Sequence, residues 1–419
     1  MKRYKVVCIF VIVCFFLQLF NMYRNFNYGK VETSEFRPKP ISLPKPSTKI
    51  PNPTIPKQCI TKTKSHEFLF QRLGIHPKLA YAKAATSVLT NPLEQDEFFK
   101  VKQGFLSVQC PVDIQSSISS LASNPRNSNV KWLKSLVQQN PDGSEQLLSG
   151  LTILLEREEY ANVFWTILDF YDIFVIVRNL NTSFANTRLL IIDAHYSTRL
   201  DELWAATFKE FVRLSEISHP VILEKAALRP FRESSLLLKR YSEVPLVEEL
   251  AKEIWKSFDL RPRIRNCAKP TLLIVWRRDY KSHPRNPQGK INRKVKNERE
   301  VVDEIQSAYP SFVINEAQLD SITIEEQIKL IHGADIFFAM HGAAHALTLF
   351  MKPKSAVIEI FPDSTNAQNW HMEKVALSAK HKHIKYVAPR ENTYNRFTTI
   401  PQGMSKELIG KALDFICPS

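Results

Sequence analysis

The feature that most constrains the fold is a regular alternation of apolar runs of strand length with longer runs of helical period, beginning near residue 151. Strands that alternate with helices favour a parallel sheet with both faces covered. The first half of the pattern predicts a strand and a helix in turn at 151–156, 160–177, 188–193, 199–214, 220–224 and 245–258. No element is predicted in residues 59–150, where the pattern is mixed.

The alternation resumes after residue 260. It predicts strands at 271–276, 311–315, 335–340, 356–361 and 383–388, and helices at 298–309, 323–333, 344–351 and about 370–380. A chain of 419 residues is long enough for about two domains. We therefore predict an α/β protein with two Rossmann-like, doubly wound units that face a cleft, one at 58–260 and the other at 261–419.

The amino-terminal segment predicts a membrane anchor. Three basic residues precede an apolar run from Val6 to Phe20, which is about the length that a membrane-spanning helix needs. No small-residue cleavage site follows the run, so we predict an uncleaved transmembrane signal anchor at 6–23; a cleaved signal peptide is the alternative. The excess of basic residues before the run predicts a cytosolic tail at 1–5 and a lumenal body, in type II orientation.

Residues 24–57 predict a stem between the anchor and the lumenal body. Seven prolines lie between residues 31 and 57 with almost no apolar periodicity, a composition that favours extended polyproline structure and forbids a packed core.

Four cysteines fall in the predicted lumenal part: Cys59, Cys110, Cys267 and Cys417. In an oxidising compartment they can form two disulfides by any of three pairings, and buried free thiols are the alternative. Asn181 begins the sequence Asn-Thr-Ser, which is a candidate site for N-glycosylation.

Almost half of the formal net charge of +15 lies in one short segment. Residues 277–299 contain nine Lys or Arg against Asp279 and Glu298. In a lumenal protein we expect the matching anion to be a phosphorylated small molecule rather than nucleic acid, and a solvated basic loop is the alternative.

The segment AMHGAAHALTLFM at 339–351 places a small-residue turn between a strand and a helix. Open parallel sheets bind ligands at the carboxyl ends of their strands. Gly342 and Ala343 let a ligand approach the backbone, and the first N–H groups of the helix favour an anion such as phosphate. A purely structural turn is the alternative. His341 and His345 lack a third ligand, so no metal site is predicted.

Two further strand ends point to the same edge of the sheet. Arg277 and Arg278 follow one strand and suit phosphate oxygens, and Glu359 lies near the end of another, where it could accept hydrogen bonds from ribose hydroxyls. Together with the turn at 341–345 they indicate a sugar nucleotide. The sequence has no Asp-x-Asp motif, so we expect arginines and helix dipoles, rather than a metal ion, to stabilise the leaving group.

Three residues before 260 are candidates for the general base that removes a proton from an acceptor hydroxyl. Asp169 lies on an otherwise apolar helix, and Asp193 and His195 follow a strand. The alternatives are a structural carboxylate for Asp169 and a strand-end cap for Asp193 and His195.

The chain resembles glycosyltransferase family 61, and its sequence around 277–299 and 191–204 is most similar to the xylosyltransferase branch of that family. The segments that carry the resemblance lie at 158–175, 191–208, 228–234, 277–302 and 334–362. The resemblance implies a GT-B type fold, inverting transfer from a UDP-sugar, and residence in the Golgi or ER lumen. It also assigns family motif positions, namely Asp169 on the helix, Asn297 with Glu298, His341 with Gly342, and Glu359.

Two positions depart from the family pattern. Ala344 and His345 stand where Gly-Leu is usual, which leaves the donor sugar open, and Trp165 stands where a His is common, which leaves the acceptor open.

The resulting hypothesis is a lumenal inverting glycosyltransferase that transfers xylose or N-acetylglucosamine from a UDP-sugar to a glycan or glycoprotein, without a cofactor. The predicted donor-binding residues are Arg277, Arg278, Asn297, Glu298, His341, Gly342, Ala343, His345 and Glu359. The alternatives are a protein O-linked N-acetylglucosaminyltransferase and a catalytically silent lumenal binding protein of the same fold. A sulfotransferase would also use a phosphorylated nucleotide, but the two predicted sheets argue against it.

Overall fold

The computed structural model describes residues 59–62, 68–82, 96–109, 129–140, 145–195, 197–229, 232–280, 288–362 and 367–418. The predicted tail, anchor and stem lie outside these residues. Within the described part of the chain, the helices are too short or too polar to cross a membrane. The described residues belong to one compact unit, Leu43–Ser419. Two sheets fall on either side of residue 260 in that unit, and the division into domains there stays a prediction.

The first sheet has eight strands and is mixed. Seven strands are ordered β6-β5-β2-β10-β7-β8-β9, and β1 pairs with β2. The four strands from β7 to β10 pair in parallel with one another, whereas β2 runs antiparallel to β1, β5 and β10. The strands are β1 (Ile60–Lys62), β2 (Phe68–Ile75), β5 (Leu106–Val108), β6 (Leu136–Gln138), β7 (Gln146–Leu155), β8 (Thr187–Ile191), β9 (Glu210–Arg213) and β10 (Val221–Leu228).

The three strands predicted in this half correspond to β7, β8 and β10, which pair in parallel as predicted, whereas β2 lies where no element is predicted and runs antiparallel to β10. The helix predicted at 199–214 is wrong in its second half, because it ends at Thr207 and β9 follows. Phe211 and Val212 are buried there, and β9 pairs with β8 at the edge of the sheet. The helices of this half are α1 (Asn129–Lys134), α2 (Val163–Asn179), α3 (Asp201–Thr207) and α4 (Val247–Ser257).

The second sheet has five parallel strands in the order β13-β11-β14-β15-β16, which confirms the parallel arrangement predicted after residue 260. Its strands are β11 (Thr271–Val275), β13 (Val313–Ala317), β14 (Ile336–Met340), β15 (Ala356–Phe361) and β16 (Lys382–Val387). The helices of this half are α5 (Glu298–Ala308), α6 (Ile324–Gly333), α7 (His371–Ser378) and α8 (Met404–Ile416). The helix predicted at 344–351 is a 3₁₀ helix, Ala343–Phe350.

Two small sheets complete the described strands. A two-stranded sheet pairs β3 (Ala80–Tyr81) with β4 (Lys100–Val101). A three-stranded sheet joins β12 (Lys294–Val295), β18 (Phe397–Thr398) and β17 (Thr393–Tyr394) in that order.

Helix α2 packs in the core between the two large sheets. Asn162 caps its first turn by accepting a hydrogen bond from Phe164 N at 3.0 Å, and most of its side chains are buried on every face. One apolar cluster runs from Ile153 on the first sheet, through Phe170 of α2, to Phe337 and Phe350 of the second half. The two sheets therefore share a continuous core, and the apolar run at 160–177 is explained by burial on all sides.

The carboxyl edges of the two sheets meet. Helix α2 follows β7 and α7 follows β15, so the first turn of each helix lies at the carboxyl edge of its sheet. The rings of Phe164 in α2 and His371 in α7 lie 5.7 Å apart between centroids. Nearby, Arg199 donates to the backbone oxygen of Asp320 at 2.9 Å, joining the region after β8 to the region after β13. Side chains at these two edges can therefore act on one ligand.

A disulfide joins Cys267 to Cys417 and ties the start of the second sheet to the end of α8. It closes a loop with a sequence separation of 150 residues, and a crosslink of that length stabilises by about 4–5 kcal/mol in the chain-entropy account. Cys59 is also disulfide-bonded, and Cys110 lies outside the described residues. Asn181 follows α2 directly and is exposed, as a glycosylation site requires.

Candidate functional site

Two arginines lie close together at the carboxyl edge of the second sheet. Arg277 follows β11, and Arg293 precedes β12 in a left-handed conformation with φ of 62°. The charge of Arg277 acts on Arg293, so the two guanidinium groups lie close to each other. Among the described residues, neither makes an ion pair with a carboxylate within 4 Å.

The lowered pKa values of Arg277 and Arg293 show that their positive charges are unfavourable in this position. Burial lowers the pKa of Arg277, against the weaker opposing effect of Tyr280 and Asp320. Burial and the charge of Arg277 lower the pKa of Arg293 to about 10, although Glu359 opposes the shift. Two partly desolvated like charges repel each other, so an anion bound between them would be favoured. Sequence reasoning missed Arg293, because nothing distinguishes it among nine basic residues in the segment.

The turn after β14 lies against Arg277. A Cβ atom on Gly342 would overlap Nη1 of Arg277, so the guanidinium rests directly on the glycine backbone. Ala343, which is half-buried, starts the 3₁₀ helix, and the first N–H groups of a helix have no partner within it. Arg277, Arg293 and the turn at Gly342 and Ala343 are named the anion cradle below. Each of its parts attracts negative charge.

Glu359 lies beneath the cradle and binds two histidines. Nδ1 of His341 donates to Oε1 at 2.5 Å, and Nε2 of His383 donates to Oε2 at 2.8 Å. Burial raises the pKa of Glu359, but the two hydrogen bonds outweigh it and leave the pKa at about 2. The carboxylate is ionised and 0% exposed, so contact with a ribose would require these bonds to open. In this position Glu359 orients His341, whose ring stacks on Phe361.

His345 faces the core rather than the cradle. Its Nδ1 donates to the backbone oxygen of Gly342 at 3.1 Å, and its ring packs edge-on against Phe337. Burial lowers its pKa to about 4, so the ring is neutral near pH 7. His345, which was predicted to bind the donor, therefore stabilises the conformation of the turn at Gly342.

The other three predicted donor-binding residues, Arg278, Asn297 and Glu298, have partners within the protein. Arg278 donates to Oε2 of Glu298 at 2.6 Å, and its side chain is 53% exposed. The amide of Asn297 bonds both the backbone oxygen and the backbone nitrogen of Ile400 at 2.9 Å. Asn297 thus fixes the start of α5, and Arg278 and Glu298 lie on the surface beside the cradle.

In the first half, Asp193 forms a buried ion pair with Arg157. Nε and Nη2 of Arg157 each donate to one carboxylate oxygen at 2.9 Å, and Nη1 donates to Asp201 at the same distance. Burial raises the pKa of Asp193, but the charge and hydrogen bonds of Arg157 outweigh it, so the pKa is about 2. This geometry favours the structural alternative for Asp193, because both oxygens are engaged.

His195 is buried beside this ion pair. Its Nε2 donates to the backbone oxygen of Arg157 at 2.9 Å, and its ring stacks on Tyr160 and meets Phe98 edge-on. Burial lowers the pKa of His195 and keeps the ring neutral. Among the described residues, Nδ1 of His195 has no hydrogen-bond partner.

Asp169 is also held by an arginine. Arg229 lies 2.8 Å from Asp169 and 2.7 Å from Asp172, and Ser235 donates to Asp172 at 2.7 Å. All three charged groups are buried. The pairing favours the structural alternative for Asp169, since it ties α2 to the end of β10.

Two further titratable groups lie at the meeting edges, and the sequence singled out neither. Burial raises the pKa of Glu156, directly after β7, to about 7, although Lys131 opposes the shift by its charge and hydrogen bond. Burial also raises the pKa of Asp320, against Gln318, Arg199 and Arg277. Burial raises the pKa of both carboxyl groups, and shifted pKa values are common at functional sites.

Two other features bear on the site. Within the described part of the chain, no three His, Cys, Asp or Glu side chains are grouped so that they could hold a metal ion. A cavity of about 300 Å³ lies near the start of β15, at the amino edge of the second sheet, and its walls include Leu246, Trp255, Met351 and Lys380. It contains none of the predicted site residues.

Comparison with known proteins finds similarity to a family of glycosyltransferases. The glycosyltransferase 61 family model matches residues 158–358. Beta-1,2-xylosyltransferase RCN11 of Oryza sativa subsp. japonica is 28% identical over 290 residues, covering 62% of this chain and 53% of that protein. Beta-1,2-xylosyltransferase of Arabidopsis thaliana is 27% identical over 294 residues, covering 60% and 54%.

A third relative is more distant. Protein O-linked-mannose beta-1,4-N-acetylglucosaminyltransferase 2 of Mus musculus is 25% identical over 111 residues, covering 26% of this chain and 19% of that protein. The chain spans about half the length of the two plant relatives that it matches. The relatives are named glycosyltransferases, and the matched range contains Arg277, Arg293 and His341 from the carboxyl edge of the second sheet. The sequence of residues 158–358 therefore matches the glycosyltransferase 61 family model, and this chain is similar to named glycosyltransferases.

Proposed function

We propose that the chain is an inverting glycosyltransferase of GT-B type that transfers a sugar from a UDP-sugar to a glycan or glycoprotein acceptor. The observation that carries the proposal is the anion cradle, in which two arginines beside the turn at Gly342 have no carboxylate partner among the described residues, within the range that matches the glycosyltransferase 61 family model. The diphosphate of a nucleotide sugar supplies the negative charge that this arrangement lacks.

The cradle would act most strongly on the departing diphosphate. Negative charge on that group grows as the bond to the sugar breaks, and fixed guanidinium and N–H donors stabilise growing charge better than water does. His341 lies beside these donors and is oriented by an ionised Glu359. The bond from sugar to oxygen breaks as the acceptor oxygen attacks from the opposite face, and the configuration at the anomeric carbon inverts.

The attacking hydroxyl must approach from the side opposite the cradle, which is the edge of the first sheet. The proton acceptor is proposed there among Asp169, Asp193 and His195. Arginines hold both aspartates, whereas His195 is neutral and its Nδ1 lacks a hydrogen-bond partner among the described residues. We therefore rank His195 ahead of the aspartates as the group that receives the proton, and the acceptor hydroxyl would have to reach a ring that is 1% exposed.

The relatives suggest the sugar. Two of them are named xylosyltransferases and one is named an N-acetylglucosaminyltransferase, so UDP-xylose and UDP-N-acetylglucosamine are the proposed donors.

We further propose that the body lies in the Golgi or ER lumen behind the anchor at 6–23. The Cys267–Cys417 disulfide supports this proposal, because disulfides persist in oxidising compartments.

The proposal is tested by incubating the full-length chain with a panel of UDP-sugars and glycan acceptors, with and without EDTA, and measuring UDP release. Release with one UDP-sugar that persists in EDTA supports a metal-independent glycosyltransferase. Release that EDTA abolishes would keep the activity and contradict metal independence. Tight UDP binding without release from any sugar would favour the alternative of a silent binding protein.

A further inference from the structure

Four aromatic rings form a continuous row where the two sheets meet. Trp165 contacts Phe164 with ring centroids 4.8 Å apart, Phe164 contacts His371 at 5.7 Å, and His371 stacks on Trp370 at 4.4 Å. The first two rings belong to the first turn of α2, Trp370 precedes α7, and His371 is the first residue of α7. The row therefore spans the junction between the two carboxyl edges.

The row lies beside the anion cradle. Burial lowers the pKa of His371, and the charge of His341 lowers it further, which places the two histidines within electrostatic reach of each other. His341 immediately precedes Gly342, on which Arg277 rests. A sugar attached to a diphosphate in the cradle would thus lie within a short distance of the aromatic row.

The two ends of the row are partly exposed, and Trp165 also packs against the core. Phe164 is buried, whereas Trp165, Trp370 and His371 are each partly exposed. Partly exposed tryptophans are ordinary when they occur singly on a surface. Here they flank a buried contact at the mouth of a candidate active site, which is where aromatic side chains commonly recognise ligands.

We propose that Trp165 and Trp370 flank a binding subsite for a pyranose ring, and this proposal rests on the proposed glycosyltransferase function. A pyranose presents C–H groups on its faces and hydroxyl groups around its edge. The C–H face packs on the electron-rich face of an indole ring, and a hydroxyl can bond with the imidazole of His371. The ring belongs either to the sugar being transferred or to the acceptor, and the two sources differ in which kinetic constant the row controls.

The experiment compares Trp165→Ala and Trp370→Ala with Trp165→Phe and Trp370→Phe in the full-length chain. Tyr81→Ala is the control, because Tyr81 is an exposed aromatic residue on β3, outside the row. For each protein we would measure the Kd of UDP, the rate of UDP-xylose and UDP-N-acetylglucosamine hydrolysis without acceptor, and transfer to methyl glycosides of xylose, mannose, galactose and N-acetylglucosamine.

The subsite predicts that each alanine variant loses about tenfold in kcat/KM for transfer while its Kd for UDP stays within about twofold of the wild type. The phenylalanine variants should retain most of the rate, because they keep an aromatic face. A raised KM for the methyl glycoside with unchanged hydrolysis assigns the ring to the acceptor. Slower hydrolysis with weaker binding of the UDP-sugar, but not of UDP, assigns it to the transferred sugar.

Two results would overturn the subsite. Transfer by both alanine variants within about twofold of the wild type would show that no sugar rests on the row. Loss of UDP binding and of thermal stability in alanine and phenylalanine variants alike would show that the rings only pack the junction.

A second readout separates this proposal from the proposed function. Saturation-transfer NMR detects binding of the methyl glycosides at millimolar concentration without any turnover. Glycoside binding that the alanine substitutions remove, in a protein that neither hydrolyses a UDP-sugar nor transfers its sugar, would support the subsite and contradict the proposed glycosyltransferase activity.

Discussion

The guanidinium group of Arg277 rests on the backbone of Gly342, in the space that a Cβ atom would otherwise occupy. The glycine is required here for room and not for its conformation, because its φ of 169° is extended backbone that any residue adopts. The clash would fall on the far end of a flexible side chain, so an added methyl group should move the arginine and leave the fold intact.

Gly342→Ala is therefore expected to weaken UDP binding about tenfold, with a change of less than about 1 kcal/mol in the free energy of unfolding. Calorimetric titration with UDP and thermal unfolding measure the two quantities. Gly410→Ala in α8 is the matched control and should leave the Kd unchanged. Unaltered UDP affinity in Gly342→Ala would exclude contact between Arg277 and the nucleotide.

Arg293→Gln removes one of two neighbouring positive charges. Because the charges repel each other in the free protein, the variant should unfold at the same temperature as the wild type or higher, while binding UDP about tenfold more weakly. The dependence of UDP affinity on salt should also become shallower. Arg299→Gln is the control, since that side chain is 82% exposed and pairs with Asp303. Equal losses in both variants would point to a general effect of net charge.

Glu359→Gln keeps the shape of the side chain but removes the charge that holds two histidine N–H groups. We expect a folded protein with kcat/KM lower by about tenfold to a hundredfold, because small displacements of groups around the reacting atoms are costly. Glu359→Ala should in addition unfold at lower temperature, since it leaves two buried histidines without their acceptor. Full activity in Glu359→Gln would show that the orientation of His341 is immaterial.

Asp193→Asn tests whether the pair with Arg157 is structural. It leaves a buried guanidinium without its full counter-charge, and the loss of one partner of a buried pair costs about 3–5 kcal/mol. Chemical denaturation should therefore show a large loss of stability together with the loss of turnover. A variant of normal stability without turnover would instead restore Asp193 as the proton acceptor.

Stability should fall as the pH is lowered from 7 to 5. Burial holds the pKa of His345 and of His381 at about 4, below the ordinary value of 6.5. Between these values the unfolded chain binds protons that the folded protein does not, so each histidine costs about 2 kcal/mol of stability at pH 5. Denaturation at pH 7, 6 and 5 measures the trend. His345→Asn should be less sensitive to pH than the wild type, and an identical pH profile would contradict this account.

The sequence predicted the second sheet well, because its strands are short apolar runs between helices of clear period. It missed β9, whose residues Phe211 and Val212 continue the apolar pattern of the preceding helix, and only their pairing with β8 identifies them as a strand. The antiparallel strand β2 lies in a region without a readable pattern.

The candidate site, like the fold, could be predicted from the sequence only in part. His341, Gly342 and Arg277 could be grouped from their positions at strand ends, because the carboxyl ends of parallel strands share an edge. The partner of Glu359 on β16, His383, depends on the register between two strands, and the pairing of Asp193 with Arg157 joins residues 36 positions apart. Such contacts follow from tertiary packing, and a single sequence carries no direct signal for them.

Because α2 packs against both sheets within one continuous core, it opposes hinge bending between them. Wide opening of the junction would have to pull apart side chains such as Phe170 and Phe350, which are completely buried. Release of a spent nucleotide should then depend on movement of surface loops and side chains around the cradle, and the rate of that local movement would set the pace of each catalytic cycle.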